Sequence, residues 1–254
     1  MHASEFSVMR ACEDTHWWYV GLHEITLDFI NQLAVPGDNS QFLDAGCGTG
    51  GFIEKCSNSH PEIVGMEPSE FAFNELKSRE TELLARADLL RSPFPDNSFE
   101  IVLSHDVIGL FSGEQLKLGV KQLCRMVRPG GFLILNLPAF QWLISSHDKF
   151  VGNKTRFQRD LIKALLEAEG VEIQTSTYRL FFLFPLVAAS RLIDRCRNRG
   201  EVTHSDVRMP NAMVNRILLW TLRMENRLIQ KGIRFPWGLS IFVIARKKAE
   251  TNHG

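Results

Sequence analysis

The sequence lacks a net charge: 29 Lys and Arg stand against 29 Asp and Glu in 254 residues. A general nucleic-acid binder carries a basic excess, so such binding is not expected. The same balance, with 44% hydrophobic and 23% charged residues, excludes a disordered acidic chain and fits a soluble globular one. Cysteine is scarce. The five, at positions 12, 47, 56, 124 and 196, are odd in number, scattered, and include no Cys-x-x-Cys pair. They indicate neither a disulfide framework nor a zinc site, and no metal is expected; they read as reduced cytoplasmic thiols. Long apolar runs are missing too. The longest, LFFLFPLVAA at 180–189, has about half the length that spans a bilayer and contains Pro185. The opening MHASEFSVMRACED has no apolar run behind a basic start, so a signal peptide is not expected and a cytoplasmic location is.

What is present is unevenly spread. Residues 1–100 carry 6 basic and 17 acidic side chains, residues 101–190 carry 10 and 7, and residues 191–248 carry 13 and 4. An acidic front and a basic back suggest that one part alone meets an anionic surface, a nucleic acid or a membrane face. From residue 41 short apolar runs alternate with amphipathic stretches, the pattern of a βαβ series with a parallel sheet. Strands are expected at 41–47, 62–69, 82–90, 98–107, 131–138, 171–179 and 239–247. Helices are expected at 21–33, 51–58, 69–79, 113–127, 155–170 and 213–229. The organisation is therefore a helical extension at 1–40, a core at 41–179 and 237–248, and an apolar and basic helical insertion at 180–236.

The chemistry centres on LDAGCGTGG at 43–51, a glycine-rich turn between a strand and a helix. Gly46, Gly48 and Gly50 let a ligand approach the backbone. Gly46, Gly48 and Gly51 also satisfy the dinucleotide spacing G-x-G-x-x-G. Asp44 separates the two readings: a carboxylate at the strand end repels a pyrophosphate and suits an ammonium and a sulfonium. Glu67, at the end of the second strand, is placed to accept both hydroxyls of a ribose. Asp88, near the end of the third, suits an adenine amino group. Three carboxylates at three successive strand ends describe a pocket for adenosine with a cationic tail.

Those residues, with VGMEPS (64–69), ADLLRSPFPDNSFEIVLS (87–104) and LCRMVRPGGFLIL (123–135), resemble the class I S-adenosylmethionine-dependent methyltransferases of the type 11 group. The resemblance implies a Rossmann-like α/β fold: a seven-stranded sheet ordered 3-2-1-4-5-7-6 with the last strand antiparallel. It implies S-adenosylmethionine as cofactor. Asp44, Ala45, Gly46, Cys47, Gly48 and Gly50 would lie at the methionine part, Glu67 and Pro68 at the ribose, Asp88 and Leu89 at adenine, and Ser104 and His105 near the sulfonium. Looser similarity in HWWY (16–19), LISSHDK (143–149) and TRFQRDLIKALLEAEG (155–170) is to a bacterial subgroup associated with natural-product and surface-glycolipid pathways. Many relatives carry a His shortly after strand four, where Leu110 stands.

The expected function is methyl transfer to a small or lipid-like, anionic and partly apolar acceptor, by O-methylation. His147, oriented by Asp148, or His105 is the expected base. Asp106 is expected to cap a helix, and Cys47 to be a small filler. Trp17, Trp18 and Tyr19 are read as a clamp or as packing. Strand six ends, and strand seven begins, on the cofactor edge, so the insertion should emerge over the acceptor. Phe181, Phe182, Phe184, Leu186, Ile217, Leu218 and Trp220 are expected to roof the cavity. Arg191, Arg195, Arg197, Arg199, Arg216, Arg223 and Arg227 are expected to face anionic head groups at the inner membrane surface. Two alternatives stay open, an RNA methyltransferase and a non-catalytic adenosyl-binding protein.

Overall fold

Alternation of apolar runs and amphipathic stretches becomes a layered α/β domain in the computed structural model, which describes residues 3–34, 41–79, 83–196 and 209–249. Two helices, α1 (Ala3–Cys12) and α2 (Trp17–Leu33), form the extension. The core runs β1 (Phe42–Ala45), α3 (Gly51–Ser57), β2 (Ile63–Met66), α4 (Glu70–Lys77), β3 (Leu84–Ala85), β4 (Phe99–His105), α5 (Gly113–Met126), β5 (Val127–Pro138), α6 (Ser146–Val151), α7 (Arg159–Glu167) and β6 (Val171–Arg179). The insertion holds α8 (Phe184–Cys196) and α9 (Ala212–Gln230), and β7 (Ser240–Lys247) closes the sheet.

The strand order is β3-β2-β1-β4-β5-β7-β6, as expected. β7 runs antiparallel to both β5 and β6. β1 and β4 are buried nearly throughout because both faces of the sheet are covered. The parallel strands β1, β2 and β4 therefore end on one edge, where a ligand site of such a sheet lies.

Three elements differ from the sequence pattern. The third strand is only Leu84–Ala85, paired with Gly65 and Met66. Asp88 then accepts from the Leu90 amide at 2.9 Å and starts a short 3-10 turn, so the chain leaves the sheet early. The fifth strand starts at Val127, and Arg128-Pro129-Gly130-Gly131 is extended chain rather than a turn after α5. The helix expected over 155–170 begins only at Arg159, because Phe157 bridges to Ala139 as extended chain.

The insertion leans on the N-terminal extension. α9 lies along α2, and Gly21 makes the approach possible: a Cβ there would stand 2.4 Å from Leu222 Cδ2. Asn226 donates to the Gly21 carbonyl at 2.7 Å, Asn215 donates to the Thr15 carbonyl at 2.9 Å, and Arg223 forms a two-pronged pair with Glu24. Buried Glu225 accepts from the Leu180 and Phe181 amides, tying α9 to the end of β6. The inner face of α9 is thus Leu222, Glu225, Asn226 and Ile229.

This corrects the expected roof. Phe182, Leu186, Ile217 and Trp220 are exposed on the outside, Trp220 by 63%. Leu218 is half-buried. Phe181 stacks on Phe235 and Trp237, and Phe184 packs on Phe140 and Trp142. Of the expected basic face, Arg223 is paired with Glu24; Arg197 and Arg199, and the side chain of Arg195, lie outside the described residues. Among the described residues no helix is long and apolar enough to cross a membrane.

Candidate active site

The glycine turn after β1 is folded back onto β2 by two amides, Gly46 and Cys47, both donating to the Met66 carbonyl at 2.7 and 3.1 Å. Gly46 is required there. Its φ is +92°, and a Cβ would meet Val107 Cγ2 at 2.2 Å. Gly50, also left-handed, starts α3. Beside the turn, Glu67 accepts from the Gly48 amide at 3.1 Å and the Ser69 amide at 2.9 Å. These donors hold its carboxylate at the end of β2, although burial pushes its pKa upward.

Asp44 ends up buried beside this turn, with Oδ1 making no hydrogen bond within the protein. Burial first, and Glu67 second, raise its carboxyl to about 8. An orphaned carboxyl next to a second carboxylate is costly to ionise without a cation. The donor set fits an ammonium at Asp44 and a diol at Glu67. Cys47 is buried, and its thiol is pushed well up by burial, then by Asp44 and Glu67; it is a filler, not a nucleophile.

Both groups line one cavity of about 630 Å³. Asp44, Gly46, Gly48, Glu67 and Pro68 form one half. His105, Asp106, Leu110, Asn153, Arg156 and Ser240 form the other. The roof is the extension, with Phe6, Met9, Trp17, Trp18, Tyr19 and Leu22. The aromatic run therefore does line the cavity, from the first turn of α2, whose N-cap is His16.

Other expected cofactor residues stand elsewhere. Ala45 is buried in β1, and its carbonyl accepts from Ser104 Oγ at 2.9 Å. Ser104 thus ties β4 to β1 and is not on the cavity wall. Asp88 is exposed, with its carboxylate on the Leu90 amide, and Leu89 is buried in the core; neither lines the cavity.

The expected bases change as well. His105 Nε2 is 3.1 Å from Thr26 Oγ1, with its ring edge on Phe52. Burial, then Arg179, lower its pKa to about 3, so it is neutral and a poor proton acceptor. Among the described residues, the closest partners of the Asp148 carboxylate are a serine and an arginine. Its oxygens accept from Ser145 N and Oγ and from Arg156 Nε and Nη2, the last two at 3.0 Å. Burial acts upward on this carboxyl, but Arg156 and Ser145 outweigh it and hold it low. The side chain of His147 lies outside the described residues. Asp106 caps no helix: it has φ +58°, and the 3-10 turn after it has no side-chain cap.

One element has no counterpart in the motif. Glu13, just past α1, reaches the glycine turn. Its Oε1 accepts from Thr49 Oγ1 and Arg79 Nη2, both at 2.6 Å, and its Oε2 accepts from the Gly51 amide at 3.1 Å. Arg79 also donates to the Thr49 carbonyl and pairs with Asp14 and Glu54. A carboxylate thereby caps the amino end of α3 and pins the roof to the cofactor half. Partners 66 residues apart leave no local signal.

With this geometry, residues 43–135 match the family model described as "Methyltransferase domain". This is a class I S-adenosylmethionine-dependent methyltransferase domain of the type 11 group. The chain is 24% identical over 219 residues to malonyl-[acyl-carrier protein] O-methyltransferase of Erwinia pyrifoliae, covering 84% of this chain and 82% of that one. It is 32% identical over 107 residues to the Bos taurus protein named "Probable tRNA methyltransferase 9B", covering 42% of this chain but spanning only 22% of that protein's length. The fold is shared with geranyl diphosphate C-methyltransferase from Streptomyces coelicolor, at TM-score 0.55 and 14% identity, over 87% of this chain and 77% of that one.

Proposed function

We propose that the protein transfers a methyl group from S-adenosylmethionine to a small or lipid-like acceptor, by O-methylation. The observation that carries the reading is the orphaned carboxyl of Asp44 beside Glu67 in a large, partly apolar cavity. Asp44 would hold the cofactor's ammonium and Glu67 its ribose. When bound, the cofactor supplies an electrophilic methyl on a sulfonium that is already a good leaving group. The chain then has to align the acceptor and exclude water, work suited to the aromatic roof of Trp17, Trp18 and Tyr19.

The apolar acceptor end is supported by the cavity walls of Leu22, Val107, Leu110 and Leu180. A lipid source is supported by the outer stripe of α9, where Met213, Ile217, Trp220 and Met224 are exposed at helical spacing beside Arg216 and Arg227. An amphipathic face of this kind suits peripheral contact with an anionic membrane. The likeness to the tRNA protein spans less than half of this chain, so it does not favour an RNA acceptor.

The test is transfer of labelled methyl from S-adenosylmethionine into total lipid, aqueous metabolites and bulk tRNA, with and without anionic vesicles. Label in the lipid or metabolite fraction is expected, enhanced by vesicles for a lipid. Label confined to tRNA, or no binding of S-adenosylhomocysteine, would sink the reading.

A further inference from the structure

The acceptor half of the cavity has an unusual bias among its polar groups. Asp106 follows β4 directly and sits on the cavity wall. Its backbone is left-handed, at φ +58°, a conformation most residues avoid and Asp tolerates where local hydrogen bonds support it. Asn136 enforces it at both ends. The Asp106 amide donates to the Asn136 carbonyl at 2.8 Å, and Asn136 Nδ2 donates to Asp106 Oδ2 at 3.0 Å. The carboxylate is thereby aimed and held through Oδ2.

The neighbours have unpartnered polar oxygens. Asn153 lines the cavity with a buried Oδ1 that has no partner, its amide being turned to Asp148. Ser240 also lines it, with a buried, unpartnered Oγ. The cation of this half, Arg156, already has its charge paired: Nε and Nη2 donate to Asp148, and Nη1 donates to the Ala139 carbonyl. Buried polar oxygens without partners are costly unless a ligand supplies the partners. An anionic acceptor group would meet Asp106 with no unpaired cation on the described wall to receive it.

Building on the methyl-transfer reading above, we propose that Asp106 is the catalytic base and acceptor-binding carboxylate, with Asn153 and Ser240 beside it. The methylated group is accordingly a hydroxyl, not a carboxylate. The acceptor oxygen bonds to the methyl carbon as its O–H proton passes to Asp106. The electron pair of the broken carbon–sulfur bond stays on sulfur, leaving a neutral thioether, and Asp106 later returns the proton to solvent.

The electrostatics agree. Burial raises the Asp106 carboxyl to about 7, against the downward pull of Asn136, Arg156 and Arg179, with Asp148 acting upward. His105, its neighbour in sequence, is neutral. A carboxyl poised near neutrality is suited to taking a proton and releasing it.

Asp106→Asn tests this, because Asn tolerates the left-handed backbone and keeps the side-chain volume. Calorimetry with S-adenosylhomocysteine is expected to give an affinity within about threefold of wild type. Labelled methyl transfer into a metabolite and lipid extract is expected to fall on the order of a hundredfold or more. The wild-type product is expected to resist mild alkali, as an ether does. Carbon-13 spectra of labelled Asp are expected to show a carboxyl titrating near neutral pH that is missing from the variant.

An alkali-labile methyl ester, a variant that transfers within threefold of wild type, or no neutral-range carboxyl signal that disappears in the variant would each overturn the proposal. So would loss of S-adenosylhomocysteine binding by the variant, which would assign Asp106 to the cofactor half. Wild-type protein that transfers no label at all would overturn the parent reading instead, and the two failures are thus told apart.

Discussion

The two halves of the cavity are built in different ways. The cofactor half comes from strand ends and one turn: Asp44, Gly46 and Gly48 lie within five consecutive residues, and Glu67 stands at the next strand end. The acceptor half is gathered from β4, β5, the loop after α6 and the start of β7, through Asp106, Asn136, Asn153 and Ser240. The first half leaves a carboxyl without a partner and waits for a cation. The second clamps a carboxylate from behind and leaves neutral oxygens open. One kind of side chain, a carboxylate, is thus set for two tasks by what surrounds it.

The comparison is sharpest at Asp44. Asp44→Ala removes the buried carboxylate proposed to hold the ammonium and is expected to weaken S-adenosylhomocysteine binding by about 4 kcal/mol, close to a thousandfold. Calorimetry measures it. If Asp44→Ala binds within tenfold of wild type, the division of the cavity into these halves fails.

Glu13 joins the roof to the cofactor half through an ion pair, whereas Thr26 joins it to the acceptor half through a neutral contact with His105. Glu13→Ala leaves Arg79 buried with Asp14 and Glu54 as remaining charge partners and frees the Gly51 amide. The expected loss is about 3 kcal/mol of stability, read by chemical denaturation, or a fall in Tm of roughly 6–12 °C. A loss below about 1 kcal/mol would mean that the roof does not depend on this latch.

The halves also differ in how far the sequence discloses them. The sheet order, the glycine turn, Asp44 and Glu67 are legible because each is a local pattern: an apolar strand, then residues the turn geometry requires. Asp88 reads wrongly as a strand end because Arg86 and Asp88 interrupt the apolar run and the chain turns into a 3-10 segment. Asp148 looks like a partner for His147, yet Arg156, eight residues on, takes it. The insertion's apolar residues suggest a roof, but α9 carries two apolar faces, and the one that packs on α2 is selected by Gly21 and Asn226, which no periodicity marks. Asp106 has a visible signal only in hindsight: an acidic residue directly after a buried strand, where a left-handed backbone aims it inward.

The smallest expected effect is the pH dependence of cofactor affinity, and its sign follows from the raised Asp44 carboxyl. With its pKa lifted to about 8 in the free protein, Asp44 is mostly protonated at pH 7. An ammonium favours the carboxylate, so binding must expel that proton. Affinity for S-adenosylhomocysteine should therefore rise with pH up to about 8, by at most about tenfold per unit. The apparent binding enthalpy at pH 7 should differ between phosphate and Tris by the buffers' ionisation heats. Asp44→Asn should flatten the slope and, having no carboxyl to keep protonated, should stabilise the ligand-free fold near pH 8, since stability held by a raised carboxyl is lost as pH climbs through its folded pKa. Asp106→Asn should leave the slope as it is, because its proton belongs to the acceptor half. A slope that disappears in Asp106→Asn but persists in Asp44→Asn would reverse the two assignments.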